Sequence, residues 1–141
     1  MKTNLSNQDV SPNSVLSESP GETWLEILHR QTLGQFSQAF AEEVLIEASV
    51  LPWPLFGVRK IHSFFETTKK MYDAVRFTSE AIVGPRTYLE WVGLFQGADV
   101  AGITVLEKDE AGAITSIHLH HRPYDAVLAF ASDLAARMLL E

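Results

Sequence analysis

The spacing of apolar side chains makes the first division of this chain. From Trp24 to Phe40 they recur every three or four residues, at Trp24, Leu25, Leu28, Leu33, Phe36, Ala39 and Phe40, which is the period of one buried helix face. Gly34 interrupts the run, so the pattern predicts two helices. Ser19, Pro20 and Glu22 supply a start: a capping hydroxyl, a proline where its missing N–H costs nothing, and a glutamate placed to close a capping box. The period changes over Val44–Val50, which is rich in β-formers, and Pro52, Pro54 and Gly57 then force an extended loop. Helical spacing returns from Gly57 to Tyr72 through Ile61, Phe64, Phe65, Thr68 and Tyr72.

Beyond Tyr72 the chain reads as strands: Ala74–Val83, Arg86–Phe95, Val100–Lys108 and Ile114–His121, separated by the polar or glycine-bearing turns GPR, QGAD and DEAG. Consecutive strands with short turns predict an antiparallel meander. Pro123–Leu140 closes the chain with Val127, Leu128, Ala131, Leu134, Ala135 and Met138 at helical spacing, an amphipathic helix able to cover an opening or meet a partner. Helices followed by a run of strands place the chain in the α+β class. Residues 1–18, rich in Ser, Asn, Gln and Pro without an apolar period, read as a disordered tail, and residues 19–141 as a single domain.

Composition narrows the partners. With 46% hydrophobic and 21% charged residues the body can bury a core. The net charge of -7, with both signs interspersed, argues against nucleic acid or an anionic membrane and favours a small apolar molecule. There is no cysteine, so thiolate chemistry is absent. The first twenty residues lack the apolar core of a secretory signal, and no apolar run approaches the roughly 20 residues that span a bilayer, so the expected setting is the cytoplasm.

Three of the five histidines fall within TSIHLHHRPYD. Along a strand Ile117, Leu119 and His121 share one face while His118 and His120 share the other, so the three imidazoles do not converge on one metal ion. A site on His118 and His120 would need a ligand from a neighbouring strand, such as Glu90 or Glu107. The expectation is no metal and no cofactor.

Three stretches carry a resemblance to a known family: FAEEVLIEASVLPWPLFGVRKIHSFF, GITVLEKDEAGAI and ITSIHLHHRPYDAV. In order and spacing they resemble the nuclear transport factor 2-like superfamily, in particular its SnoaL-like branch. The resemblance implies a cone, a curved mixed or antiparallel sheet wrapped around N-terminal helices, with an apolar pocket at one end, an extra C-terminal helix, and a homodimer built through the outer sheet face. It also implies a pocket face bearing Ile117, Leu119 and His121. Members include isomerases, cyclases, dehydratases and proteins without chemistry, so the pocket residues have to decide.

Two of the family's chemistries do not fit these residues. For a ketosteroid isomerase, the base position falls on Ala48, the acidic donor on Thr104 and the tyrosine on Trp24; Glu47 is adjacent to Ala48 but points to the opposite face. For an epoxide hydrolase, the strand TYLEWVGL lacks the paired arginine and acid. What remains is His121 as a candidate general acid/base, with Thr104 and Trp24 as donors to a developing oxyanion. Leu89, Trp91, Val100, Ile117 and Leu119 form a candidate ligand wall, and Trp53 and Phe56 of the proline loop a candidate rim. Tyr72 reads as no more than the end of its helix. Three functions stay open: a cofactor-independent isomerase, cyclase or dehydratase acting on an apolar cyclic or polyketide-like compound, a noncatalytic apolar-ligand-binding or structural dimer, and a transport protein.

Overall fold

In the computed structural model, residues 14–16 and 19–139 are described. Along the chain they form β1 (Ser14–Leu16), α1 (Glu22–Leu28), α2 (Leu33–Ser37), β2 (Phe40–Ala48), β3 (Leu55–Phe56), α3 (Val58–Lys69), β4 (Ala74–Val83), β5 (Arg86–Phe95), β6 (Ala98–Lys108), β7 (Ile114–Arg122) and α4 (Tyr124–Leu139). The strands make one curved, unclosed sheet in the order β1-β4-β5-β6-β7-β2-β3. Strands β4 to β7 are the expected antiparallel meander, and β2 joins β7 in parallel, which makes the sheet mixed. This is the α+β architecture read from the sequence.

The alternation that defines each strand also sorts its two faces. On β5, Thr87, Leu89, Trp91 and Phe95 are buried while Arg86, Tyr88, Glu90, Val92 and Leu94 are exposed. The inward set packs on the helices, with Phe36, Ile46, Ile61, Phe64, Leu89, Ile114, Ile117 and Leu134 fully buried. Breaks in register between Phe77 and Ser79, and between Glu107 and Lys108, mark the points where the long strands bend. Helix α3 contributes Ile61, Phe64 and Phe65 to the core, as its period predicts.

Three local expectations need correction. Phe40 opens β2, paired with Ile114, and does not end a helix; α2 stops at Ser37, and a phenylalanine four residues beyond Phe36 satisfies both readings. The capping box expected at Ser19 does not form: Gly21, in the left-handed region (φ 76°), caps α1, and its N–H donates to Glu80 Oε1 at 2.8 Å. A side chain there would overlap the Phe77 ring, so glycine is required twice over. The capping box stands on α2, between Thr32 and Gln35. Finally, within the expected tail 1–18, Ser14–Leu16 pair with Ala81–Val83; the other tail residues lie outside the described residues.

Candidate functional site

Between the sheet and the helices lies a cavity of about 450 Å³. Helix α1 and the residue after it contribute Trp24, Leu25, Leu28 and His29. From α3 and its C-terminal end come Phe64, Phe65, Thr68, Lys69 and Tyr72. The sheet adds Ala74, Val75 and Phe77 from β4, Trp91 from β5, Thr104 from β6, and Leu119 and His121 from β7. Among the described residues no aspartate or glutamate lines the cavity.

Register explains how these side chains meet. Phe77 pairs with Trp91, Trp91 with Gly102, and Gly102 with His121, so one row across four strands points into the cavity. The next row runs from Leu89 through Thr104 to Leu119 and on to Ala48. Gly102 has no side chain to fill its place in the first row. The Trp91 indole lies where a Cβ would stand, and its ring reaches edge-on to the His121 imidazole, with centroids 5.4 Å apart and planes at 78°.

His121 is half-buried, and its Nδ1 is buried without a hydrogen-bond partner among the described residues. Burial, and secondarily the charge of His120, pulls the imidazole down from 6.5 to about 4, so the ring is neutral at pH 7. The strand end that carries it is fixed through Ser49, whose Oγ accepts the His121 backbone N–H (3.1 Å) and donates to the Leu119 carbonyl (3.2 Å). Phe130 of α4 packs behind these rings: it lies 6.2 Å from His121 and stacks on Tyr72 at 4.8 Å. Tyr72 also meets Trp91 edge-on at 5.7 Å, and burial pushes its phenol well above the usual tyrosine value. Burial therefore keeps the His121 imidazole and the Tyr72 phenol in their neutral forms.

At the α1 side, Lys69 Nζ donates to the Leu28 carbonyl (3.1 Å) and pairs with Glu66 (2.7 Å), which ties α3 to the end of α1. Trp24 is buried edge-on against Phe40 and Phe65.

Of the residues singled out from sequence, Trp24, Trp91, Thr104, Leu119 and His121 converge on this cavity. Leu89 and Ile117 lie behind the wall in the core, and Val100 lines a groove elsewhere. The expected rim does not form. Trp53 and Phe56 are 69% and 61% exposed, because Phe56 pairs with Leu45, the neighbour of the inward Ile46, on the last strand of the sheet. His118 points outward and bonds Glu47 Oε1 at 2.8 Å, and His120 is exposed. No group of three or more His, Cys, Asp or Glu among the described residues is placed to hold a metal ion.

Sequence reasoning missed Tyr72, Thr68, Phe64, Phe65 and Phe77 as cavity residues. The periods that predict α3 and β4 predict burial of these side chains, and carry no signal that they face a cavity.

No protein-family model matches the sequence, and no curated protein sequence matches it. Solved structures do. An uncharacterised bacterial protein with a cystatin-like fold from Silicibacter pomeroyi DSS-3 superposes with a TM-score of 0.73 at 18% identity over 81% of each chain. A steroid delta-isomerase from Pseudomonas aeruginosa gives 0.73 at 15% identity over 83% of this chain and 87% of that one. A SnoaL-like family protein from Agrobacterium tumefaciens strain C58 gives 0.57 at 18% identity over 73% and 94%. At such identities the likeness establishes a shared fold, and chemistry has to be argued from side chains.

Proposed function

We propose that this chain, whose fold is that of the nuclear transport factor 2-like superfamily and its SnoaL-like members, binds an uncharged, flat, apolar carbonyl compound in the cavity and moves a proton on it without a cofactor. The observation that carries the reading is a neutral imidazole set in a wall of indole, phenol and leucine, with one ring nitrogen buried and unpartnered. A ligand entering such a wall gains by burying its apolar body, and the one lysine at its edge, Lys69, is already held by Glu66 and the Leu28 carbonyl.

The chemistry follows from the protonation states. Neutral His121 accepts a proton at its unprotonated ring nitrogen from the carbon beside the ligand carbonyl, and the electron pair of that C–H bond is delocalised onto the carbonyl oxygen. The phenol of Tyr72, kept protonated by burial, donates a hydrogen bond to that oxygen, with the Thr104 hydroxyl and Trp24 N–H as further donors. Imidazolium is disfavoured in this wall, so the proton returns promptly to carbon, at the original position or one conjugated with it. The outcome is an isomerisation in which the atoms balance. With its basicity near that of a carboxylate, His121 takes the part that a carboxylate would play at Ala48, which pairs with Leu119.

Proton magnetic resonance in D2O tests this on apolar cyclic ketones, comparing wild type with His121→Gln. The expected result is deuterium uptake beside the carbonyl that is faster with wild type than with the variant, while both proteins melt at higher temperature with ligand. Equal exchange in the two proteins ends the catalytic part of the proposal. Binding without exchange favours the noncatalytic alternative.

A further inference from the structure

A second concavity, of about 680 Å³, opens across β4, β5, β6 and the end of β7; it borders the first cavity at Ala74 and Val75 and plays no part in the proton transfer. On the outer face of the sheet its floor includes Val92 and Leu94, which are 37% and 38% exposed. An apolar cluster left in water on a folded sheet marks a place where something binds.

The charges around it say what. Arg76 pairs with Val92, Val92 with Ala101, and Ala101 with Arg122, so two arginines close the two ends of one cross-strand row. Three strand spacings place their backbones about 14 Å apart. Arg30, Arg86 and Arg137 each hold a carboxylate, whereas Arg76 and Arg122, like Arg59 on α3, form no ion pair with any described residue. Both are exposed, and both line this one groove. In a chain of net charge -7, two unneutralised guanidinium groups facing one apolar strip are a local exception to the field of the protein. Asp99 lies beside Leu94 at the margin and disfavours an anion there, which leaves the arginine ends as the places for negative charge.

We infer that this groove binds an elongated organic dianion, with an aliphatic or aromatic body along Val92 and Ala101 and an acidic group at each arginine. Guanidinium and carboxylate match as planar, two-bonded partners, and the apolar body covers the exposed side chains between them. The site uses neither the imidazole nor the phenol of the cavity, and it does not rest on the chemistry proposed there.

The test uses the full chain and three probes of equal length: suberate with two acids, octanoate with one, and octanediol with none. Amide resonances are followed during titration. Suberate is expected to shift Val92, Leu94 and Ala101, to bind more tightly than octanoate, and to weaken as salt is raised; octanediol is expected to shift nothing. Arg76→Ala and Arg122→Ala are each expected to weaken suberate about tenfold while the rest of the spectrum stays unchanged, since both side chains are exposed. Equal binding of the three probes overturns the inference, as do shifts concentrated at Trp24, Thr104 and His121. Groove resonances that respond to dilution of the protein and not to suberate would show a second copy of the chain covering this face, and that result also overturns it.

Discussion

Trp91 and His121 meet across Gly102: all three occupy one row of the sheet, and the indole crosses the glycine to stand 5.4 Å from the imidazole. A methyl at position 102 would overlap both the indole and the His120 carbonyl, and the carbonyl belongs to the ladder and cannot swing aside. Replacing a strand glycine ordinarily gains about 0.5–1 kcal/mol from reduced chain entropy. Overpacking of this kind costs about 1–3 kcal/mol, so the clash wins. Gly102→Ala is therefore expected to lower stability in urea denaturation and to displace the indole, shifting tryptophan fluorescence and weakening cavity ligands.

His121 makes stability depend on pH. Between 6.5 and about 4 the unfolded chain protonates this ring while the folded chain keeps it neutral. The unfolded state thus binds more protons, and the contribution that is full above pH 6.5 is lost as the pH falls toward 4. His121→Gln should show a smaller drop in urea midpoint between pH 7 and pH 5 than wild type. A pH dependence unchanged by the substitution would mean that the ring is not withheld from protons.

Tyr72 separates packing from chemistry. Tyr72→Phe keeps the 4.8 Å stack on Phe130 and the contact with Trp91 but deletes the hydroxyl. Stability should change by no more than about 1 kcal/mol. The deuterium exchange proposed above should fall by roughly a hundredfold or more if the phenol stabilises the oxyanion. An unchanged exchange rate with unchanged affinity assigns the stabilisation to Thr104 or Trp24.

Trp53 and Phe56 are expected to matter to neither stability nor the cavity. Trp53→Ala should shift the unfolding free energy by about 0.5 kcal/mol at most, since its side chain is largely in water. Ligand-induced melting shifts should match those of wild type.

The limits of sequence reading show in these same residues. Strands β4 and β5 were legible to their ends because the turns GPR and QGAD bound them. So was the parity of β7, which sends His121 inward and His118 to Glu47. The proline loop was legible as a loop, but proline constrains φ and says nothing about which side its aromatics face, so Trp53 and Phe56 were misplaced. Tyr72 was invisible as a cavity residue for a different reason. An apolar stripe predicts burial, and whether buried side chains meet other atoms or empty space depends on how Phe130, Trp91 and α3 pack in three dimensions.

The parallel pairing of β2 with β7 also governs how the molecule assembles. The β4–β7 hairpins join neighbours in sequence and can form early, whereas Ser49 reaches Leu119 across 70 residues. That loop must be closed before its contacts give anything back, so the final docking of β2 is the slow, non-local step. The seam it completes carries the anchor of His121, and the candidate base is held in place only once the whole chain has folded.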